Sequence, residues 1–215
     1  GNVWVNGLNT RDRDATYAIR SQVGMVFQSP PDQLVATVVE EDVAFGPENL
    51  GVPEIELAER VRHALCQVGM WPFRYRAPHL LSAGQQQRVA IAGAIAMDPR
   101  CLVLDEATAM LDPIGRRDLL RIVGDLNHAG ITAISITHDM QEATRARRVV
   151  VMHEGQVALD GSPAEIFSCP HLGTFGLAAP PAVELARRLR QRLPDLPQDI
   201  LTAEALAQAV AERMR

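Results

Sequence analysis

The feature that most constrains the fold is a rhythm of short apolar runs. CLVLD (101–105), AISIT (133–137), VVVMH (149–153) and QVALD (156–160) each suit a strand. Helical patterns at about 113–128 and 139–147 separate the first three. Apolar strands alternating with helices predict an α/β fold around a largely parallel sheet. Glu154-Gly155 joins the last two runs and predicts a hairpin.

Upstream, residues 1–28 read as strand, helix, strand. GNVWVNG alternates Val3 and Val5 and closes on Asn6-Gly7, as a hairpin strand does. QVGMVFQ (22–28) suits a buried strand ending in glutamine. The stretch 29–53, rich in Pro, Asp and Glu, reads as loop and short elements. Residues 54–68 predict an amphipathic helix with Ile55, Ala58, Val61, Leu65 and Val68 on its apolar stripe, and with Glu56 and Arg60 paired on the wet side. A further helix is expected from about Ala83 to Met97. After Pro180-Pro181, two amphipathic helices are expected at about 182–193 and 203–214.

Composition narrows the functional classes. A chain of 215 residues can bury a sizeable core. Its net charge of −5 makes the whole molecule a poor electrostatic match for nucleic acid, so no nucleic-acid partner is expected. The longest apolar run, near Val89 to Met97, is about half of the ~18 residues a membrane span needs. Any membrane link therefore runs through a partner. Cys66, Cys101 and Cys169 form no C-x-x-C pair, which argues against a zinc site or a disulfide framework and fits a reducing compartment. Cys101 reads as a small core residue.

Several residues invite chemistry, and each also has a structural reading. An apolar strand ending in Asp105-Glu106 delivers two carboxylates to the carboxyl edge of a sheet, where α/β proteins bind ligands. The first acid suits Mg²⁺ and the second suits polarising a water; an acidic turn is the plain alternative. Ser82 and Gln85 fit a capping box, while a glycine-bearing helix N-terminus also suits phosphate. Asp112-Pro113 reads as a helix start. His138 and Gln28 each end a strand. Taken singly these signals are weak. Their common order along one chain is what carries weight.

That order resembles the ATP-binding-cassette ATPases over residues 1 to about 170. The matching stretches are the Q-loop VFQSPPDQ, the signature LSAGQQQR, the Walker B strand CLVLDE, AMLDP and SITHD. Within the family the chain looks most like the ATP-binding subunit of energy-coupling-factor transporters, close to the cobalt-type importers. The resemblance implies a P-loop NTPase-like core with ATP and Mg²⁺ as cofactors. Residues 1–50 would hold sheet remnants and the Q-loop, 51–97 a helical signature subdomain, 98–170 the RecA-like core, and 171–215 a helical extension that helps two ATPase subunits associate.

The resemblance also implies roles. Asp105 would hold Mg²⁺, with Gln28 sensing it. Glu106 would be the general base, and His138 would contact the γ-phosphate. Ser82, Gly84 and Gln85 would contact nucleotide on a second cassette subunit, with Asp112 at that interface. Integral-membrane coupling and substrate-binding subunits would complete an importer for a vitamin or a transition-metal ion, placing the chain peripherally on the cytoplasmic face of the membrane. Glu40, Glu41 and Asp42 form an acidic group that could receive arginines from the membrane partner's coupling helices, and a solvated acidic turn is the equal alternative.

Two departures stand out. Ala83 replaces a glycine usual in the family. All 21 Lys and Arg residues are arginine, so no lysine can serve a phosphate-binding G-x-x-x-x-G-K-[ST] loop. That loop is expected upstream of this chain, and the 215 residues alone are expected to bind and hydrolyse ATP negligibly. Two alternatives stay open: a non-catalytic accessory cassette, and a soluble cassette protein acting on nucleic acid through the arginines at 187, 188, 190 and 192.

Overall fold

The computed structural model describes residues 1–213. They form two compact units, Gly1–Ile136 and the chain from Thr137 onward.

The first unit opens with an antiparallel hairpin, β1 (Trp4–Val5) and β2 (Leu8–Asn9). Asn6 and Gly7 at its tip have φ of +46° and +81°. Two successive positive φ values match the twist of the flanking strands. The strands are shorter than the alternation of Val3 and Val5 predicts, and Val3 is exposed. Helix α1 (Thr16–Arg20) leads into β3 (Val23–Val26).

Helix α2 (Val39–Asn49) then occupies much of the stretch expected to be loop. Its buried face is Val39, Asp42, Val43 and Pro47, spaced three to four residues apart. Gly46 and Pro47 read locally as breakers, but packing against a neighbouring helix outweighs them. Helix α3 (Glu54–Gln67) follows as predicted, with a corrected stripe. Leu57, Val61, Ala64, Leu65 and Val68 face the core, whereas Ile55 is 89% exposed and Ala58 is exposed. Ile55 sits in the first turn, ahead of the helix's packing surface.

Helix α4 (Ala83–Ala96) is the hub of this unit. From Val89 to Ala96 it is buried nearly all round, with only Gly93 half-buried. At Gly24 of β3 a Cβ would lie 3.3 Å from Ala94 Cβ, so the missing side chain lets α4 lie close to the sheet. The chain continues through β4 (Cys101–Asp105), α5 (Pro113–His128) and β5 (Thr132–Ile136). Strands β3, β4 and β5 form a parallel sheet in that order. Leu102 and Leu104 point into the core, and each such buried side chain contributes roughly 1.5–3 kcal/mol. Cys101 is half-buried rather than a core residue, because it starts its strand at the rim. Ile134 and Ile136 of β5 stay about half exposed, at 50% and 49%.

The second unit begins with α6 (Met140–Ala143), shorter than the helix predicted over 139–147. Thr144 and the arginines at 145, 147 and 148 offer no apolar stripe to continue it. Strands β6 (Val149–His153) and β7 (Gln156–Gly161) form the expected hairpin, with Glu154 and Gly155 at positive φ. Helix α7 (Pro163–Ser168) contributes Ile166 and Phe167 to a small core with Val151, Leu172 and Val183. Helices α8 (Pro181–Leu189) and α9 (Ala203–Ala211) form another core around Ala186, Leu196, Ile200 and Leu206. Both end earlier than predicted, and Met214, the final residue of the expected last helix, lies outside the described residues.

Candidate functional site

Strand β4 carries Asp105 and Glu106 to the carboxyl edge of the sheet. Asp105 pairs with Ile136 of β5, and the Glu106 N–H donates to the Ile136 carbonyl at 2.9 Å. Glu106 then leaves the strand at φ +46°. That left-handed backbone costs a non-glycine residue roughly 1–2 kcal/mol, and such strain collects at functional sites. Gln28 arrives at the same edge two residues beyond β3. Its Nε2 donates to Glu106 Oε2 at 3.1 Å.

Asp105, Glu106 and Gln28 offer only hard oxygen donors to a metal. Among the described residues, no group of three or more His, Cys, Asp or Glu could hold a metal by itself. The donors therefore suit Mg²⁺, which keeps waters and takes its remaining ligands from bound phosphates.

A second grouping surrounds the N-terminus of α4. Ser82 Oγ accepts the Gln85 N–H at 3.3 Å, and Gln85 Oε1 accepts the Ser82 N–H at 3.0 Å. The capping box is thus formed. Ala83 is exposed, so its methyl meets no crowding in this chain. At Gly84 a Cβ would lie 3.5 Å from Leu111, an ordinary contact, so the chain's own packing does not demand glycine there. Asp112 caps α5 by accepting the Gly115 N–H at 2.6 Å. Arg88 of α4 pairs with Asp118 of α5 at 2.7 Å and holds the two helices together.

Ser82, Gly84, Gln85 and Asp112 line one open cleft of about 440 Å³, together with Met110 and Leu111. Gln28, Asp105 and Glu106 are not part of its lining. The first unit therefore carries two separate groupings. His138 belongs to the second unit, where it is exposed and precedes Asp139. Asp139 caps α6 by accepting the Gln141 N–H at 2.8 Å.

Two polar residues, Gln33 and Gln87, carry no expectation from the sequence, and a third, Asp42, departs from its expected role. Asp42 is buried, and its carboxylate accepts the N–H groups of Val35 at 2.6 Å and Ala36 at 2.9 Å. It is an internal brace, which reduces the expected acidic patch to Glu40 and Glu41. Gln33 and Gln87 bind backbone at the end of β3. For Gln87 a signal existed: it shares a helical face with Ala90, Ile91 and Ala94, and all four are buried. The arginine cluster of α8 is largely committed within the chain. Arg187 and Arg188 pair with Glu184, and Arg190 donates to the carbonyls of Leu196 and Pro197.

The ABC transporter family profile matches residues 1–109. The chain belongs to the ABC transporter ATPases. Curated relatives of this ABC ATPase include the energy-coupling factor transporter ATP-binding protein EcfA1 of Caldanaerobacter subterraneus, 52% identical over 98% of this chain and 76% of that protein. Its counterpart from Symbiobacterium thermophilum is 54% identical over 99% and 75%. Among solved structures, cbiO1 from Clostridium perfringens, part of the ABC transporter complex cbiONQ, aligns with a TM-score of 0.72 and 36% identity, covering 89% of this chain and 72% of that one. A dimeric ATP-binding cassette bound to ADP and Pi aligns at 0.66 and 28%, covering 76% and 73%. This ABC ATPase has the mixed α/β cassette fold expected of it, and among the described residues no helix is long and apolar enough to cross a membrane.

Proposed function

We propose that this ABC ATPase is the ATP-binding subunit of an energy-coupling-factor importer, and that it works as one of a head-to-tail pair. The observation that carries this is the separation of the two groupings. Gln28, Asp105 and Glu106 stand at the sheet edge, while Ser82, Gly84, Gln85 and Asp112 line a different cleft. Two half-sites on one chain suit an arrangement in which each is completed by the opposite subunit.

In this reading Asp105 orients the metal and Glu106 takes a proton from the attacking water. Gln28 holds one Glu106 oxygen in place while that happens. Bound Mg²⁺ supplies neutralisation of the charge on the phosphate oxygens. Ser82 and the N-terminal turn of α4 present N–H groups to the partner's nucleotide. His138 contacts the γ-phosphate. The membrane partner docks beside Glu41 and Phe45, exposed one turn apart on α2. Helices α8 and α9 assist pairing at the cytoplasmic face of the membrane, and the cargo is a vitamin or a transition-metal ion.

The test is reconstitution of the gene product with its membrane subunits in vesicles, measuring MgATP-dependent uptake. Ser82→Arg, which fills the cleft, is expected to abolish hydrolysis and uptake without unfolding the chain. Unchanged turnover in that variant would sink the head-to-tail reading. Reversal of Glu40 and Glu41 is expected to release the membrane partner; intact complex would remove those acids from the interface.

A further inference from the structure

Two glutamine amides hold the backbone of Phe27, the residue just before Gln28. The last β3–β4 register pair is Val26 with Leu104, so the ladder ends one residue earlier. Beyond it, Gln33 Oε1 accepts the Phe27 N–H at 3.0 Å while Gln33 Nε2 donates to the Met25 carbonyl at 3.0 Å. Gln87 Nε2 donates to the Phe27 carbonyl at 3.2 Å. Phe27 is 44% exposed and Gln28 is exposed, so side-chain burial does not anchor this segment. Gln87 is 1% exposed, and a buried amide is kept where its hydrogen bond is made.

The position of Gln87 on α4 gives that bond a second meaning. Gln85 and Arg88, on either side of it, both line the cleft at the helix N-terminus. Arg88 also fixes the helix to α5 through Asp118. A ligand that shifts the first turns of α4 therefore pulls on the carbonyl preceding Gln28, and Gln28 holds Glu106. We infer that Gln87 is a positioning residue: it sets Gln28 against Glu106 and links the cleft of Ser82 to the sheet edge. The inference rests on the hydrolytic reading of Gln28 and Glu106 given above.

The test pairs a measurement that needs no turnover with one that does. Gln87→Met keeps the side-chain volume and removes the donor. In the 215-residue chain, amide hydrogen exchange over 25–34 is expected to quicken about five- to tenfold, the worth of one hydrogen bond. The melting temperature is expected to fall by only about 2–4 °C, the global cost of the same bond, and exchange in β4 to quicken less than at 25–34. Unchanged exchange at 25–34, or loosening of β4 as large as that at 25–34, overturns the inference. Gln87→Asn, one methylene shorter, serves if the methionine variant does not fold. In the reconstituted transporter, Gln87→Met is expected to lower kcat about tenfold with KM for MgATP within about twofold. Combined with Gln28→Ala it is expected to add no further loss. Additive losses, or a change confined to KM, overturn it. A transporter with no ATPase activity defeats the hydrolytic reading of Glu106, whereas the exchange result still decides the link from Gln87 to Phe27.

Discussion

Gln28 and Glu106, 78 residues apart in sequence, meet through one hydrogen bond of 3.1 Å at the end of a parallel strand pair. The contact fixes a carboxylate whose own backbone is left-handed. Glu106→Gln keeps an acceptor for Gln28 and removes the base. Hydrolysis by the assembled transporter is expected to fall about 10²- to 10⁴-fold. The melting temperature is expected to stay near the parent's. Steady-state turnover and a thermal melt check both, and retained turnover would assign the base elsewhere.

Asp42 braces the start of α2 from inside. Asp42→Ala removes both bonds from the N–H groups of Val35 and Ala36. A cost of about 3 kcal/mol is expected in urea unfolding, given ~1.5–3 kcal/mol for a hydrogen bond to a charged group. Asp42→Asn retains an acceptor oxygen and should cost about half as much. Equal losses in both variants would show that charge, not hydrogen bonding, is what matters there.

The three thiols are expected to differ in reactivity. Burial pushes the Cys101 thiol above its ordinary value, whereas Cys66 is exposed on α3. At pH 8, alkylation followed by mass spectrometry should label Cys66 at least about tenfold faster than Cys101, since the thiolate is the reacting form. Equal rates would mean that the start of β4 opens readily.

Glu165 adds a pH dependence to the second unit. Its carboxylate accepts the Ser162 backbone N–H at 2.7 Å and the Ser162 hydroxyl at 2.8 Å, which hold it below the usual carboxylate range. A depressed acid contributes stability at neutral pH and loses it as the pH falls below about 4. Glu165→Gln keeps the acceptor and cannot titrate. Its melting temperature should therefore fall less than the parent's between about pH 7 and 3. Parallel curves would remove Glu165 from the acid response.

What was legible in the sequence was mostly local. The capping box of Ser82 and Gln85, the Asn6-Gly7 and Glu154-Gly155 turns, and the apolar runs of β4 and β6 depend on neighbours a few residues away. Helix α2 was hidden because Gly46, Pro47 and three adjacent acids read as loop, while its stability comes from Val39 and Val43 packing against α4. Asp105, Glu106 and Gln28 could be named from their order along the chain. The bond between Gln28 and Glu106 could not, because sheet order decides which strand ends are neighbours. The helical spacing of Gln87 with Ala90, Ile91 and Ala94 signals its burial, but its partner lies 60 residues away, so no local pattern names the carbonyl it holds.

The outer edge of β5 has a consequence for handling the protein. The strand is paired with β4 on one side, and among the described residues no strand pairs with the other. Ile134 and Ile136 stand half exposed on it. Unpaired backbone groups beside β-branched side chains form a template for strand addition. Concentrated solutions of this chain should therefore self-associate through growing intermolecular sheet, and a lysine or proline introduced on that edge should keep it dispersed.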